Sequence, residues 1–234
     1  MPIAISIIGY KNAGKTTLTT ALARQLTHMG HTVAGVKFSH GGFDQPATDT
    51  HDLGQVCEQV IGIGPNETAM FWPQQHYLPD LLPLLKADVV LVEGGKQLTW
   101  LPRVLILRSP EEASSLDNGL ALGTWGTVIA QGLPSFTSLE DLAREVLNRG
   151  FILAGLDCGD CKRPNCLTLA REIVQGKTTA TGCKALQTGM KVTINGHPLP
   201  MKSFVEDIIA GSIKAQLATL KGYAPGSKIE ITLS

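Results

Sequence analysis

One stretch near the start of the chain limits its possible folds more than any other feature. The residues GYKNAGKTT, at positions 9–17, match the pattern G-x-x-x-x-G-K-[ST]. An isoleucine-rich apolar run precedes them at residues 3–8, and a helical pattern of leucines follows at residues 16–28. The order strand, glycine-rich loop, helix is the context in which this pattern binds nucleotide phosphates. The chain is therefore predicted to begin with a phosphate-binding P-loop.

The loop also predicts which residues handle phosphate and magnesium. Backbone N–H groups of the loop and of the helix start form an anion cradle, and the lysine reaches the β- and γ-phosphates. The predicted nucleotide contacts are Gly9, Tyr10, Lys11, Asn12, Ala13, Gly14, Lys15, Thr16 and Thr17. Lys15 is also a candidate catalytic residue, and Thr16 is a candidate Mg²⁺ ligand.

A second magnesium ligand is expected at the end of a buried strand. The run DVVLVEGG, at residues 88–95, ends in Glu93 followed by two glycines, which leave room for a phosphate. Asp88 opens the same run and would lie about 16 Å away at the usual rise per residue, so a structural role is predicted for it. Glu93 is therefore the candidate acid.

The polar, glycine-rich segment at residues 37–52 is predicted to be a switch that senses the γ-phosphate. Asp44 and Asp49 are its candidate catalytic groups, placed to position the attacking water or a neighbouring group. His40 is a further candidate, although a solvated loop histidine explains it equally well.

Strands and helices alternate through the first 150 residues. Strands are predicted at residues 3–8, 32–38, 67–72, 88–95, 103–108 and 127–132, with helices at 16–28, 49–62 and 137–150. Cys57 is expected to be a small buried apolar residue on the second helix. The pattern predicts an α/β domain at residues 1–150, in which a mostly parallel sheet carries helices on both faces.

The pattern changes after Gly150, and a second domain is predicted at residues 151–234. Asn195-Gly196 indicates a hairpin turn, and residues 202–222 indicate a helix with one apolar face, which includes Phe204 and Ile208. A closing strand is expected at 227–233, which would complete a small α+β module. Lys and Arg number 10 against 14 Asp and Glu in the first part, and 10 against 6 in the second. This asymmetry is too mild to indicate nucleic-acid binding. The chain shows no signal peptide and no apolar run long enough for a membrane span, so a cytoplasmic protein is expected.

Four of the five cysteines lie close together in the second part. Cys158, Cys161, Cys166 and Cys183 have the spacing C-x₂-C-x₄-C-x₁₆-C. In a reducing compartment such a group indicates metal ligands rather than disulfides. A helix after Cys166 would place Leu169 and Ile173 over the site as an apolar cover. An iron-sulfur cluster and a structural zinc are both open, although zinc sites often use two C-x₂-C pairs and this chain has one.

The first 150 residues resemble a known family. The stretches IIGYKNAGKTTL, VKFSHGGFDQPATDTHDL, DVVLVEGGK and LPRVLILR are similar to those of molybdopterin-guanine dinucleotide biosynthesis protein B (MobB), a GTP-binding P-loop family. The family pattern is carried here by Lys37, His40, Asp44, Pro46, Asp49 and Thr50, with departures at Phe38, Ala47 and Gly95.

The resemblance implies a slow GTPase, a homodimer, and an accessory role beside the molybdenum cofactor nucleotidyltransferase that makes the dinucleotide form of a molybdopterin-type cofactor. Because the chain has no Asn-Lys-x-Asp motif to read guanine, the preference for GTP over ATP rests on the resemblance alone.

The cysteine stretch resembles a [4Fe-4S] domain found in corrinoid iron-sulfur proteins, with Gly159, Ala170, Gly176 and Cys183 at matching positions. This resemblance favours a [4Fe-4S] cluster over zinc. Two other functions remain as alternatives: a nucleotide-regulated electron-transfer or redox-sensing protein, and a metal-insertion chaperone. The chaperone reading lacks its marker, a Cys-Pro-Cys or His-rich tract.

Overall fold

The structure is a computed structural model that describes residues 2–39, 41–187, 190, 192–194, 197–224 and 229–231. Its helices and strands follow one another as β1 (Ile3–Ile8), α1 (Lys15–His28), β2 (Val33–Lys37), α2 (Asp49–Gly54), β3 (Val60–Ile63), β4 (Thr68–Phe71), α3 (Leu78–Leu81), β5 (Val89–Glu93), β6 (Arg103–Ile106), α4 (Glu112–Leu116), β7 (Ala121–Trp125), β8 (Ser135–Phe136), α5 (Leu139–Arg149), α6 (Cys166–Val174), β9 (Thr193–Ile194), β10 (His197–Pro198) and α7 (Ser203–Leu217). Short 3-10 turns lie at Leu82–Leu84, Ala180–Gly182 and Lys184–Leu186.

Six strands form one parallel sheet in the order β2-β5-β1-β6-β7-β8. β1 lies inside the sheet, which explains its continuous apolar sequence: both faces of the strand are covered. In β5, Val89 and Leu91 enter one core cluster, and Val90 and Val92 enter another. The predicted mostly parallel α/β sheet is confirmed.

The two faces of the sheet are covered by different parts of the chain. On one face, α1 contributes Leu18, Leu22 and Leu26, and α5 contributes Leu142 and Val146. On the other, residues 98–101, residues 151–154 and α6 of the cysteine segment form a single apolar cluster with the sheet. The predicted helices on both faces are therefore present, and one of them comes from the cysteine segment.

Polar contacts also attach the cysteine segment to the sheet. The N–H of Leu153 donates to the carbonyl of Trp100 at 3.0 Å, and the guanidinium of Arg171 on α6 donates to the carbonyl of Asn118 at 2.6 Å. A Cβ on Gly155 would lie 3.3 Å from the Trp100 ring, so the backbone packs directly on this indole.

The predicted strand at residues 127–132 is wrong. The chain there forms turns outside the sheet, Ile129 is exposed, and the strand is β7 instead. β7 reads ALGTW and has few β-branched residues, so propensity alone does not mark it. Its Gly123 lies against β8, where a Cβ would stand 2.5 Å from the ring of Phe136.

The predicted helix at residues 49–62 is also longer than the structure shows. α2 ends at Gly54, and the β-branched residues after it form β3. The predicted strand at 67–72 exists as β4, but it pairs antiparallel with β3 outside the main sheet. Cys57 lies between α2 and β3 and is exposed, so the prediction that it is buried is wrong.

In the C-terminal part, β9 and β10 pair antiparallel around Asn195-Gly196, which itself lies outside the described residues. Helix α7 forms as predicted, but it has no buried residue, and Phe204 and Ile208 are exposed. The predicted packing of this helix on the hairpin is therefore not seen in the described part of the chain. Of the predicted strand at 227–233, the structure describes residues 229–231 and assigns no strand there. Among the described residues, no helix is long and apolar enough to cross a bilayer.

Candidate functional site

The phosphate loop connects β1 to α1, and its backbone needs glycine at two points. Gly14 takes φ 92°, a left-handed conformation that favours glycine. A Cβ on Gly9 would stand 2.8 Å from the carbonyl oxygen of Ile106, so a side chain there would collide with β6. Asn12 is also left-handed, with φ 63°. The predicted nucleotide contacts at residues 9–17 thus form one continuous turn and helix start.

The start of α1 is suited to an anion. No side chain caps it, and its first turn carries no acid. The free N–H groups and the positive end of the helix dipole therefore face the space at the loop. The Lys15 ammonium folds back and donates to the carbonyl of Tyr10 at 2.7 Å. Burial lowers the pKa of Lys15, Glu93 opposes this shift, and the charges of Lys96 and Lys37 add to it.

The two predicted magnesium ligands lie side by side. The hydroxyl of Thr16 donates to Oε1 of Glu93 at 2.8 Å. Glu93 ends β5, which pairs with β1, and its residue is 8% exposed. An octahedral Mg²⁺ with oxygens at about 2.1 Å places neighbouring ligands about 3.0 Å apart, so the two oxygens fit one magnesium shell. Asp88 lies at the far end of the strand, where it accepts hydrogen bonds from Thr32.

The switch candidates lie apart from this pair. Oδ1 of Asp44 accepts from the hydroxyls of Thr48 at 3.3 Å and Thr50 at 3.0 Å, so its hydrogen bonds stay within its own loop and the first turn of α2. Asp49 is the first residue of α2, which Thr48 caps. Within the part of the chain described, neither acid bonds to the phosphate loop or to Glu93. His40 lies outside the described residues.

Three further cations of the site did not follow from the P-loop pattern. The ammonium of Lys37 lies 2.8 Å from Oε1 of Glu93. Lys96 lies over the ring of Tyr10, 4.1 Å from its centroid, and Arg108 lies 5.2 Å from the same centroid. Lys96 comes three residues after Glu93, so its nearness to the acid at the strand end was a usable signal in the sequence.

The four clustered cysteines surround one cavity. Cys158, Cys161, Cys166 and Cys183 all line it, together with apolar residues that include Leu169. Cys166 and Cys183 are buried, Cys158 and Cys161 are half-buried, and all are free thiols. The apolar cover expected from Leu169 is present, and Ile173 packs at the edge of the same cluster.

The loop that carries the first two cysteines is fixed by its neighbours. Asp157, with φ 44°, accepts a hydrogen bond from the N–H of Cys166 at 2.6 Å. Arg163 donates to the carbonyl of Cys161 at 2.8 Å and pairs with Glu172 of α6 at 2.7 Å. Burial raises the pKa of the Cys166 thiol to about 11. Within the described residues, no three Cys, His, Asp or Glu side chains are grouped as for a single metal ion.

Comparison with known proteins bears on both sites. Residues 4–123 match the family model described as molybdopterin guanine dinucleotide synthesis protein B. Residues 153–185, which include all four clustered cysteines, match a second model, described as "Putative Fe-S cluster".

Two relatives show how far the likeness extends. A protein of Methanocaldococcus jannaschii, named "Putative molybdopterin-guanine dinucleotide biosynthesis adapter protein", is 25% identical over 98% of this chain and 96% of its own. The crystal structure of Bacillus subtilis MobB covers 64% of this chain and 98% of its own, at 22% identity and a TM-score of 0.53. The second likeness supports the fold.

Proposed function

The chain belongs to the molybdopterin guanine dinucleotide synthesis protein B family, and from this premise we propose that it is a GTP-binding accessory protein of molybdenum or tungsten cofactor biosynthesis that carries a [4Fe-4S] cluster. The observation that carries the nucleotide part is the 2.8 Å contact between Thr16 and Glu93 beside an uncapped helix start. We also propose that the protein has two modules, at residues 1–150 and 151–234. A cytoplasmic location is a further part of the proposal.

Each residue of the site has a role in this proposal. The amides of residues 9–17 and the ammonium of Lys15 bind the phosphates, while Thr16 and Glu93 hold Mg²⁺. The ion, when bound, neutralises charge on the phosphates. Lys96 and Arg108 add positive charge around Tyr10. The choice of GTP follows the family.

Slow hydrolysis is part of the proposal. Asp44 or Asp49 would position the attacking water, but the hydrogen bonds of Asp44 hold it within its own loop. The loop must therefore rearrange before Asp44 can act, which is consistent with weak turnover or with an activating group from a partner.

The four clustered cysteines can supply the four thiolates that the proposed cluster needs. Two thiolates on one zinc lie at most about 4.6 Å apart, because each Zn–S bond is about 2.3 Å. The four cysteines line one cavity, and within the described residues no three potential ligands are grouped as for a single metal ion. A [4Fe-4S] cluster takes four thiolates around a larger core, and apolar walls tune its potential. Zinc remains the alternative to test.

A homodimer is proposed, together with a nucleotidyltransferase and a molybdopterin-type cofactor as partners. The β3–β4 hairpin stands outside the main sheet, and Ile61, Ile63 and Met70 on one of its faces are 55%, 82% and 44% exposed. An isolated two-stranded hairpin is marginally stable. A second copy covering this face would bury the exposed side chains.

One observation favours a second candidate function, nucleotide-regulated redox sensing or electron transfer. Cys166 and Cys183 belong to the same apolar cluster as Val90 and Val92 of β5, the strand that ends in Glu93. A change at the cluster could therefore reach the nucleotide site through shared packing.

The test is anaerobic purification followed by iron, sulfide and zinc analysis and by titration with a fluorescent GTP. We expect about four iron and four sulfide per chain, together with magnesium-dependent binding that unlabelled GTP displaces better than ATP. Lys15→Ala should lose binding, while Lys86→Ala, which removes an exposed lysine outside the phosphate loop, should retain it. Stoichiometric zinc without sulfide would contradict the cluster, and equal GTP affinity in the oxidised and reduced forms would contradict redox regulation.

A further inference from the structure

Lys37 places a cation on both proposed magnesium ligands. It is the last residue of β2, and the parallel register sets it opposite Glu93 of β5. Its ammonium donates to Oε1 of Glu93 at 2.8 Å and to the hydroxyl oxygen of Thr16 at 3.3 Å. The same two oxygens are themselves hydrogen-bonded.

A magnesium ion bound to these two oxygens would compete with the Lys37 ammonium. Mg²⁺ takes oxygen ligands at about 2.0–2.1 Å and would need the lone pairs of Glu93 Oε1 and Thr16 Oγ1 that the ammonium now uses. Two cations on one carboxylate oxygen would also repel each other at close range. The Lys37 side chain is 49% exposed, so space is available for it to leave.

We propose that Lys37 is a built-in counter-ion of the magnesium site, which holds Thr16 and Glu93 together in the nucleotide-free chain and is displaced when Mg²⁺ arrives with nucleotide. The proposal rests on the proposed function, because it assumes that these ligands serve a magnesium nucleotide. Lys37 acts as a positioning residue, since it sets the two ligands rather than touching a reacting atom.

Lys37 is also linked, through the next residue, to the loop that leads to α2. The next residue, Phe38, donates its N–H to the carbonyl of Glu93 at 2.9 Å and packs against Gly94 and Gly95. Beyond it the chain enters the loop that leads to α2. Release of Lys37 from Glu93 thus acts directly on the loop that the sequence marks as a switch.

Lys96 provides a matched control. It carries the same charge, and its field also lowers the pKa of Lys15, but its ammonium lies on the Tyr10 ring, 4.1 Å from the centroid. Removing Lys96 therefore removes a positive charge from the site without freeing Glu93 or Thr16.

The experiment compares full-length wild type, Lys37→Met and Lys96→Met, each shown to be folded by its thermal transition. Binding of mant-GDP is measured with excess Mg²⁺ and with EDTA. The dissociation constant in EDTA divided by the dissociation constant in Mg²⁺ reports how strongly binding depends on magnesium. GDP is used because it lacks a γ-phosphate that a released lysine could contact.

Lys37→Met should raise this ratio by about three- to tenfold, because the variant loses its substitute cation in EDTA and a competitor in Mg²⁺. Lys96→Met should raise both dissociation constants by a similar factor, so that their ratio stays within about twofold of the wild-type ratio. An unchanged ratio in Lys37→Met, or an equal rise in both variants, would overturn the proposal alone. If wild type binds neither guanine nor adenine nucleotides, the proposed function fails and this proposal falls with it.

Discussion

The guanidinium of Arg103 donates to the carbonyl of Leu98 at 2.8 Å inside the core. It also donates to the carbonyls of Lys96 at 3.2 Å and Leu116 at 2.9 Å, and the residue is 2% exposed. Burial lowers the pKa of Arg103, an effect that the charge of Asp117 opposes. A buried cation thus fixes the loop that follows Glu93 and carries Lys96 toward the phosphate loop.

Arg103→Met should therefore destabilise the protein by about 3 kcal/mol, because two buried carbonyls and one part-buried carbonyl lose their donors. Arg144→Met is the control, since the Arg144 side chain is 60% exposed and, among the described residues, its ion pairs lie within α5, and it should cost about 0.5 kcal/mol or less. Urea unfolding of both variants measures the difference. Equal losses in the two variants would show that the Arg103 contacts contribute little.

Close packing at Gly123 leads to a second prediction. A Cβ there would stand 2.5 Å from the Phe136 ring and 2.6 Å from the carbonyl oxygen of Pro134. Because the backbone of Pro134 cannot yield as a side-chain end can, Gly123→Ala should separate β8 from β7 and cost about 2 kcal/mol. Gly35→Ala in β2 is the control, because its Cβ would meet nothing within 4 Å.

Gly35→Ala should be neutral or stabilising by up to about 1 kcal/mol. Free energies of unfolding from urea titration decide the matter, and hydrogen exchange of the Ser135 and Phe136 amides shows whether β8 is the part that loosens. A Gly123→Ala variant as stable as Gly35→Ala would contradict the packing argument.

A comparison of β1 and β5 with β7 shows why part of the fold was not predicted from the sequence. β1 and β5 are buried on both faces, so their apolar runs stand out along the chain. β7 owes its place to pairing with β6 and to the space that Gly123 leaves for β8. Such contacts join residues that only the fold brings together, and local propensity does not register them.

The site divides in the same way. Lys15, Thr16 and Glu93 lie where their motif and strand end require, since sheet order alone brings β1 and β5 together. The contact of Lys37 with Glu93 depends on the register of β2 against β5. Phe38 and Gly95 lie in close contact, since a Cβ on Gly95 would stand 3.0 Å from the Phe38 ring. Ala47 has a left-handed φ of 64°.

Asp88 and Thr32 lead to a prediction on pH. Oδ2 of Asp88 accepts from the backbone N–H of Thr32 at 2.9 Å and from its hydroxyl at 2.7 Å. These two hydrogen bonds hold the pKa of Asp88 below its ordinary value of 3.8, and the bond from the backbone N–H has the larger effect. A carboxylate with a lowered folded-state pKa adds stability above its unfolded pKa, and this stability is lost as the pH falls through the folded value.

Asp88→Asn should therefore be less stable than wild type at pH 7, and the difference should shrink once the pH falls below about 4. Thr32→Ala should show the same trend, because it removes the hydroxyl donor. The measurement is urea unfolding at a series of pH values from 7 to 3. A difference that stays constant over this range would mean that ionised Asp88 is not the source.

The cysteine cavity leads to the last prediction. Cys161 lines the cavity, and its carbonyl is held by Arg163 at 2.8 Å, so its thiol is supported in place. Cys161→Ser should lose most of the iron and sulfide and the associated visible absorption, because a hydroxyl is a poor replacement for a thiolate ligand.

Cys57→Ser is the matched control, since Cys57 is exposed between α2 and β3, far along the chain from the clustered cysteines. Its metal content should equal that of wild type. Iron and sulfide that persist in Cys161→Ser would remove this cysteine from the ligand set, and equal losses in both variants would point to general thiol damage during purification. Because fluorescent GTP binding should survive Cys161→Ser, the same samples also show whether nucleotide binding requires an intact cluster.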